Sequence, residues 1–205
     1  MKNFILKNTF YLITVLGIAT GIYTLVSWSS MPVLQRMVGL FFPAIVLHVW
    51  EESRFPGGFT DMITKKLNFT QANPHFGEFI TGAYILVIVF VPLFFPHVLF
   101  LELAPMIIGI LEVVAHLAAI KMFSMKRFYS PGLLTAIILL LPISIYTIVY
   151  AAQHHLLRPI DWLFSFLYVF GGLMLAQQIV VRMSGMKYSN FLKNVKNALS
   201  TTEDR

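Results

Sequence analysis

The sequence predicts an all-α, polytopic membrane helix bundle on three observations. Mean hydropathy is +0.77 with only 12% charged residues. Six apolar runs follow one another, each near the roughly 20 residues that a bilayer core of about 30 Å requires. Pro or Gly punctuates most of their ends. A soluble domain of 205 residues does not carry 58% hydrophobic residues.

The spans are placed at Phe10–Trp28, Met31–Trp50, Phe76–Phe95, Pro105–Phe123, Gly132–Ala151 and Trp162–Arg182, with Trp50 and Trp162 as interface anchors. The first run follows Lys2 and Lys7 as a signal peptide would. It is longer than such an apolar region and lacks an A-x-A-like cleavage site, so it reads as a retained span. Between the second and third spans, FTDMITKKL alternates at helical spacing and predicts an interfacial helix near residues 59–67. Residues 1–186 form one transmembrane domain. In the tail, 187–205, Tyr188, Phe191, Leu192, Val195 and Leu199 share a helix face with Lys193 and Lys196 elsewhere, as in an amphipathic helix resting on anionic headgroups.

Orientation follows from Lys and Arg. With a cytoplasmic N-terminus, the inside holds Lys2, Lys7, Arg54, Lys65, Lys66, Lys121, Lys126, Arg127, Arg182, Lys187, Lys193, Lys196 and Arg205, against Arg36 and Arg158 outside. Both termini are then cytoplasmic, in a plasma membrane of bacterial type. The net charge of +6 is explained by topology and lipid contact. With no soluble basic domain or motif, nucleic acid is not a partner.

Orientation turns the ionisable residues into a map of depth. His48, Glu51 and Glu52 end the second span on the inner side, and His75 and Glu78 begin the third there. Glu112 and His116 lie about 16 Å and 10 Å from the inner end of the fourth. His48 shares a face with Glu51 and Glu52, His75 with Glu78, and Glu112 with His116, through i+3 and i+4 spacings. A charge in hydrocarbon costs at least a few kcal/mol, so these groups are expected to face inward and meet. His and carboxylate pairs on neighbouring helices are how bundles hold metal, although the Glu-x-x-His spacing of dinuclear carboxylate proteins is not reproduced. With no cysteine present, the donor set suits zinc, iron or manganese.

HVWEE (His48–Glu52), YSPG (Tyr129–Gly132) and a further intramembrane histidine together resemble the HXXEE family of membrane proteins. The two motifs span the second to fifth helices. The family's extra histidine corresponds to His75 or His116, and the resemblance implies a shared intramembrane site without naming a reaction.

Three classes of function fit. The preferred one is an intramembrane enzyme acting on a lipid or isoprenoid-like substrate. His48, Glu52, His75, Glu112 and His116 would ligate a divalent metal ion, zinc or iron, or two ions. Glu51 or Glu78 would move protons or hold the second ion, and Tyr129 would be architectural or contact substrate. A metal-free version uses Glu112 as a neutral acid beside His48 and Glu52, giving an isomerase or cyclase. The others are a proton or metal cation transporter, disfavoured by an outer half almost devoid of polar residues and by the lack of an inverted repeat, and a non-catalytic lipid-binding scaffold. Gln177 and Gln178 are candidate donors behind the site. His97, Glu102 and the cluster Gln153, His154, His155, Arg158 and Asp161 are assigned to external loops.

Overall fold

The computed structural model describes residues 2–69, 73–125 and 127–200; Lys126 and Arg205 of the orientation count fall outside them. Among the described residues there are eight helices and no strand. Helix α1 is Lys2–Val26, α2 Val33–Ser53, α3 Phe59–Lys66, and α4 Pro74–Ile85, continued by a π turn Leu86–Phe90 and a 3₁₀ turn Val91–Phe94. Helix α5 is Leu99–Met122, α6 Leu133–Gln153, α7 Pro159–Met183 and α8 Tyr188–Ser200. Six of these (α1, α2, α4, α5, α6 and α7) are long and apolar enough to cross a membrane, so the chain is an integral membrane protein. The short α3 sits where the helical alternation of FTDMITKKL placed a helix.

Two boundaries correct the sequence reading. Helix α5 starts at Leu99 and runs through Pro105, because losing one N–H donor does not break a helix supported on all sides by packing. Glu102 therefore lies in its first turn, 2% exposed, and not in a loop. Asp161 likewise belongs to α7, where it accepts from Arg158 Nε and Nη2, each at 2.8 Å, and from Arg158 N at 3.2 Å. This capping box, with Pro159 at the first helical position, starts the helix three residues before Trp162. Two buried carboxylates, Glu102 and Asp161, thus stand in the first turns of α5 and α7, where hydropathy alone predicts loops.

Prolines also shape α4 and α6. Val91 N–H reaches back to Leu86 O and Leu141 N–H to Ala136 O, each just before a proline, Pro92 and Pro142. Proline supplies no donor, so a wider π turn re-registers the ladder ahead of it. The carbonyl left over in α4, Val87 O, accepts the Tyr168 hydroxyl at 2.6 Å, and Leu93 O accepts Gln35 Nε2 at 2.7 Å. Both bonds tie α4 to neighbouring spans, α7 and α2.

Helices α2 and α5 are the most buried spans. Phe41, Phe42, Leu103, Met106 and Leu140 of α2, α5 and α6 are fully buried, with Phe42 against Phe90 of the α4 π turn at 5.2 Å between centroids. Close approach of α5 to α6 depends on Gly109, where a Cβ would collide with Ser144 Oγ. Helix α4 packs on α1 and α7, and it is mainly its π turn that reaches α5. The tail helix α8 folds back onto the end of α3: Phe191, Val195 and Ala198 pack with Leu67 and Phe69, and Asn194 Nδ2 donates to Leu67 O at 2.8 Å. Its apolar face is thus partly covered by protein, with Leu192 exposed; the side chain of Leu199 lies outside the described residues.

Candidate metal centre

At the end of the bundle where α2 and α5 finish and α6 begins, Arg54, Lys65, Lys66, Lys121 and Arg182 make a basic rim. Above it, His48 and Glu52, one turn apart on α2, face Glu112 and His116, one turn apart on α5. His116 Nε2 is 3.3 Å from Glu52 Oε1 and 3.9 Å from Glu112 Oε2. His48 Nε2 is 3.5 Å from Glu112 Oε2 and 3.8 Å from Glu52 Oε1. One ligand atom from each of the four residues lies within 4.8 Å of the others, a group able to hold a metal ion. Tetrahedral ligands about 2.0 Å from a zinc ion stand about 3.3 Å apart, close to the His116–Glu52 and His48–Glu112 separations.

The other ring nitrogens are already committed. His48 Nδ1 is 3.1 Å from Gly132 O, which can only accept, so Nδ1 carries the proton; Thr135 Oγ1 stands at the same distance. His116 Nδ1 is 3.0 Å from Ser130 Oγ, whose hydroxyl donates to His116 O at 3.2 Å. Both contacts are used only when His116 Nδ1 donates. In the neutral imidazole each Nε2 then carries the lone pair; both atoms are buried and make no aligned hydrogen bond among the described residues, with Glu52 Oε1 3.3 Å from His116 and Glu112 Oε2 3.5 Å from His48. Donating the far nitrogen to a carbonyl or hydroxyl is the usual way a metal-bound imidazole is oriented. The imidazoles are sealed at 1% and 0% exposure, whereas the carboxylates of Glu52 and Glu112 remain 19% and 31% exposed, so approach is from the acidic side. The Phe59 ring of α3 covers His116, with centroids 4.5 Å apart.

The second glutamate of the motif has a different task. Glu51 Oε1 accepts from Tyr129 Oη at 2.7 Å and Leu134 N at 3.2 Å, and Oε2 accepts from Thr135 N at 2.8 Å and Thr135 Oγ1 at 2.6 Å. It satisfies the open N–H groups that begin α6, where the helix dipole favours a carboxylate. Burial and the neighbouring Glu51 carboxylate push the Tyr129 phenol above its usual range, so it stays a donor. Tyr129 thus reaches Glu51 and none of the four clustered residues. Gly132, at φ +104°, turns the chain into α6 in a region that favours glycine. A Cβ there would strike the His116 ring and Glu52 Cγ.

His75 and Glu78 are not brought into the cluster. Glu78 binds Arg54 Nη2 at 2.6 Å and His75 Nδ1 at 3.3 Å in a separate group at the rim. The reason is packing: α4 starts against α1, so the third side of the site comes from α6. Of the two histidines the sequence left open, His116 is the one placed beside His48. Gln177 accepts from Tyr188 Oη at 3.3 Å, tying α7 to α8. His154 stacks on Tyr150 and contacts its carbonyl at 2.8 Å. Ser130, Thr135 and Phe59 were missed as site residues; the YSPG string was the available signal for Ser130, and nothing local marked the other two.

A cavity of about 270 Å³ leads from the rim to Glu52, bordered by Arg54, Asp61, Glu78 and Thr81. It brings the rim group to the edge of the cluster.

Among proteins of curated function none matches this chain, and no solved structure does. A protein family described as "Protein of unknown function with HXXEE motif" matches residues 39–147, a stretch containing the four clustered residues and the support from Glu51, Tyr129, Ser130, Gly132 and Thr135. The chain therefore belongs to the HXXEE family.

Proposed function

We propose that this protein is a membrane-embedded, divalent-metal-dependent enzyme acting on a lipid-like substrate. The observation that carries the reading is the pair of sealed imidazoles, each held by a bond at Nδ1, whose Nε2 atoms converge with the Glu52 and Glu112 carboxylates so that one ligand atom from each of the four residues lies within 4.8 Å of the others. His48, Glu52, Glu112 and His116 would hold zinc or iron, which when bound supplies Lewis-acid activation. The carboxylates, 19% and 31% exposed, would be free to shift or accept a proton, whereas the histidines are held in place.

Under the positive-inside rule the basic rim lies in the cytoplasm with both termini, and the site sits beneath the inner headgroups, in a plasma membrane of bacterial type. Fully buried Phe41, Phe42, Leu103 and Met106 separate this site from Glu102, which favours an enzyme open at one end over a conduction path. Metal analysis of purified protein before and after chelation tests the proposal. About one equivalent of zinc or iron, lost in His48→Ala and in His116→Ala, is expected. Less than about half an equivalent after metal loading overturns it.

A further inference from the structure

The metal reading leaves the substrate's polar head undefined, and the cavity leading to Glu52 constrains it. Its described lining holds one cationic side chain, Arg54, whose Nη2 is 2.6 Å from Glu78 Oε1. Glu52 belongs to the metal cluster. With these two carboxylates matched, the exposed Asp61 of α3, one turn before Lys65, is the acidic charge left over in the lining, beside the hydroxyls of Ser53, Thr60 and Thr81. An anionic head entering here would meet an unmatched carboxylate; an ammonium would meet a partner. A second cavity of about 250 Å³ adjoins the first, sharing Gly77 and Val180, and is largely apolar, with Leu6, Phe76 and Met183 in its walls between α1, α4 and α7.

Resting on the proposed metal site, the geometry points to a membrane-derived amphiphile with an amine-bearing head, its polar group at Asp61 and its hydrocarbon leaving past Val180. Asp61 discriminates by charge, and the Gly77–Val180 junction admits the chain. The ammonium of such a head also tolerates the basic rim better than a bare cation would, because the chain anchors it on the apolar side.

The test is native mass spectrometry of the metal-loaded protein released from nanodiscs, titrated with dodecylamine, dodecanol and dodecyl phosphate. Dodecylamine should bind roughly fivefold tighter than dodecanol, the scale of one partly screened ion pair, with dodecyl phosphate weakest. Asp61→Lys should reverse the order, and Val180→Trp should abolish binding of all three, both with wild-type metal content. An amine bound no tighter than the alcohol, or an order unchanged in Asp61→Lys, overturns the inference. A protein that takes up no metal yet keeps the amine preference defeats the metal reading and leaves this subsite standing.

Discussion

Ser130 Oγ stands 3.2 Å from the carbonyl of His116 and 3.0 Å from Nδ1 of the same residue, and both contacts are hydrogen bonds when the hydroxyl donates to the carbonyl and the ring Nδ1–H donates to the hydroxyl. In that arrangement one serine sets the tautomer of a histidine fourteen residues earlier. The loop that carries it also positions His48 through Gly132 O, so a single motif orients both imidazoles.

Ser130→Ala should leave the bundle folded and weaken metal binding by roughly 10- to 100-fold, the usual effect of removing a group that orients a ligand. Competition with a calibrated chelator measures it. Unchanged affinity would mean that His116 needs no such partner.

The two glutamates of the motif should separate cleanly. Glu51→Ala strands Leu134 N, Thr135 N and the Tyr129 hydroxyl, and should cost about 3 kcal/mol or more of stability. Glu52→Gln should cost little stability and remove metal. Thermal unfolding and metal analysis on both variants decide it; equal destabilisation would refute the division of labour.

Gly132→Ala should fail in both respects. A Cβ at φ +104° is strained by about 1–2 kcal/mol and occupies the space of the His116 ring and Glu52 Cγ. Loss of metal binding and a lowered melting temperature are expected together, and a variant with wild-type metal affinity would show that the ring moves freely.

Tyr129→Phe tests the clamp by pH. The folded phenol titrates above its unfolded value, so its stabilising contribution is fully present below about pH 10 and is lost as pH rises beyond it. The difference in stability between wild type and Tyr129→Phe, about 1 kcal/mol, should be constant from neutral pH to about 10 and shrink above. A difference that already varies near neutrality would place the coupling elsewhere.

Much of this architecture was legible before any coordinates. Six apolar runs identify six spans because hydrocarbon demands length and hydrophobicity, and i, i+4 spacing puts His48 with Glu52 and Glu112 with His116 on single helix faces, because side-chain direction follows helical period. Span starts were less visible: Glu102 and Asp161 read as loop residues because hydropathy windows stop at charge, whereas the helices continue past it.

Helical period tells which residues share a face but not which neighbour that face will meet. His75 and Glu78 had the same kind of spacing as the true cluster, yet α4 begins against α1 and carries them to the rim. Glu51 and Glu52, adjacent in the chain, point about 100° apart on α2, one to the start of α6 and the other to α5. Those assignments depend on how six apolar cylinders, each satisfied in its own backbone hydrogen bonds, choose contacts through a few glycines and polar bonds, which is information held between helices and not along them.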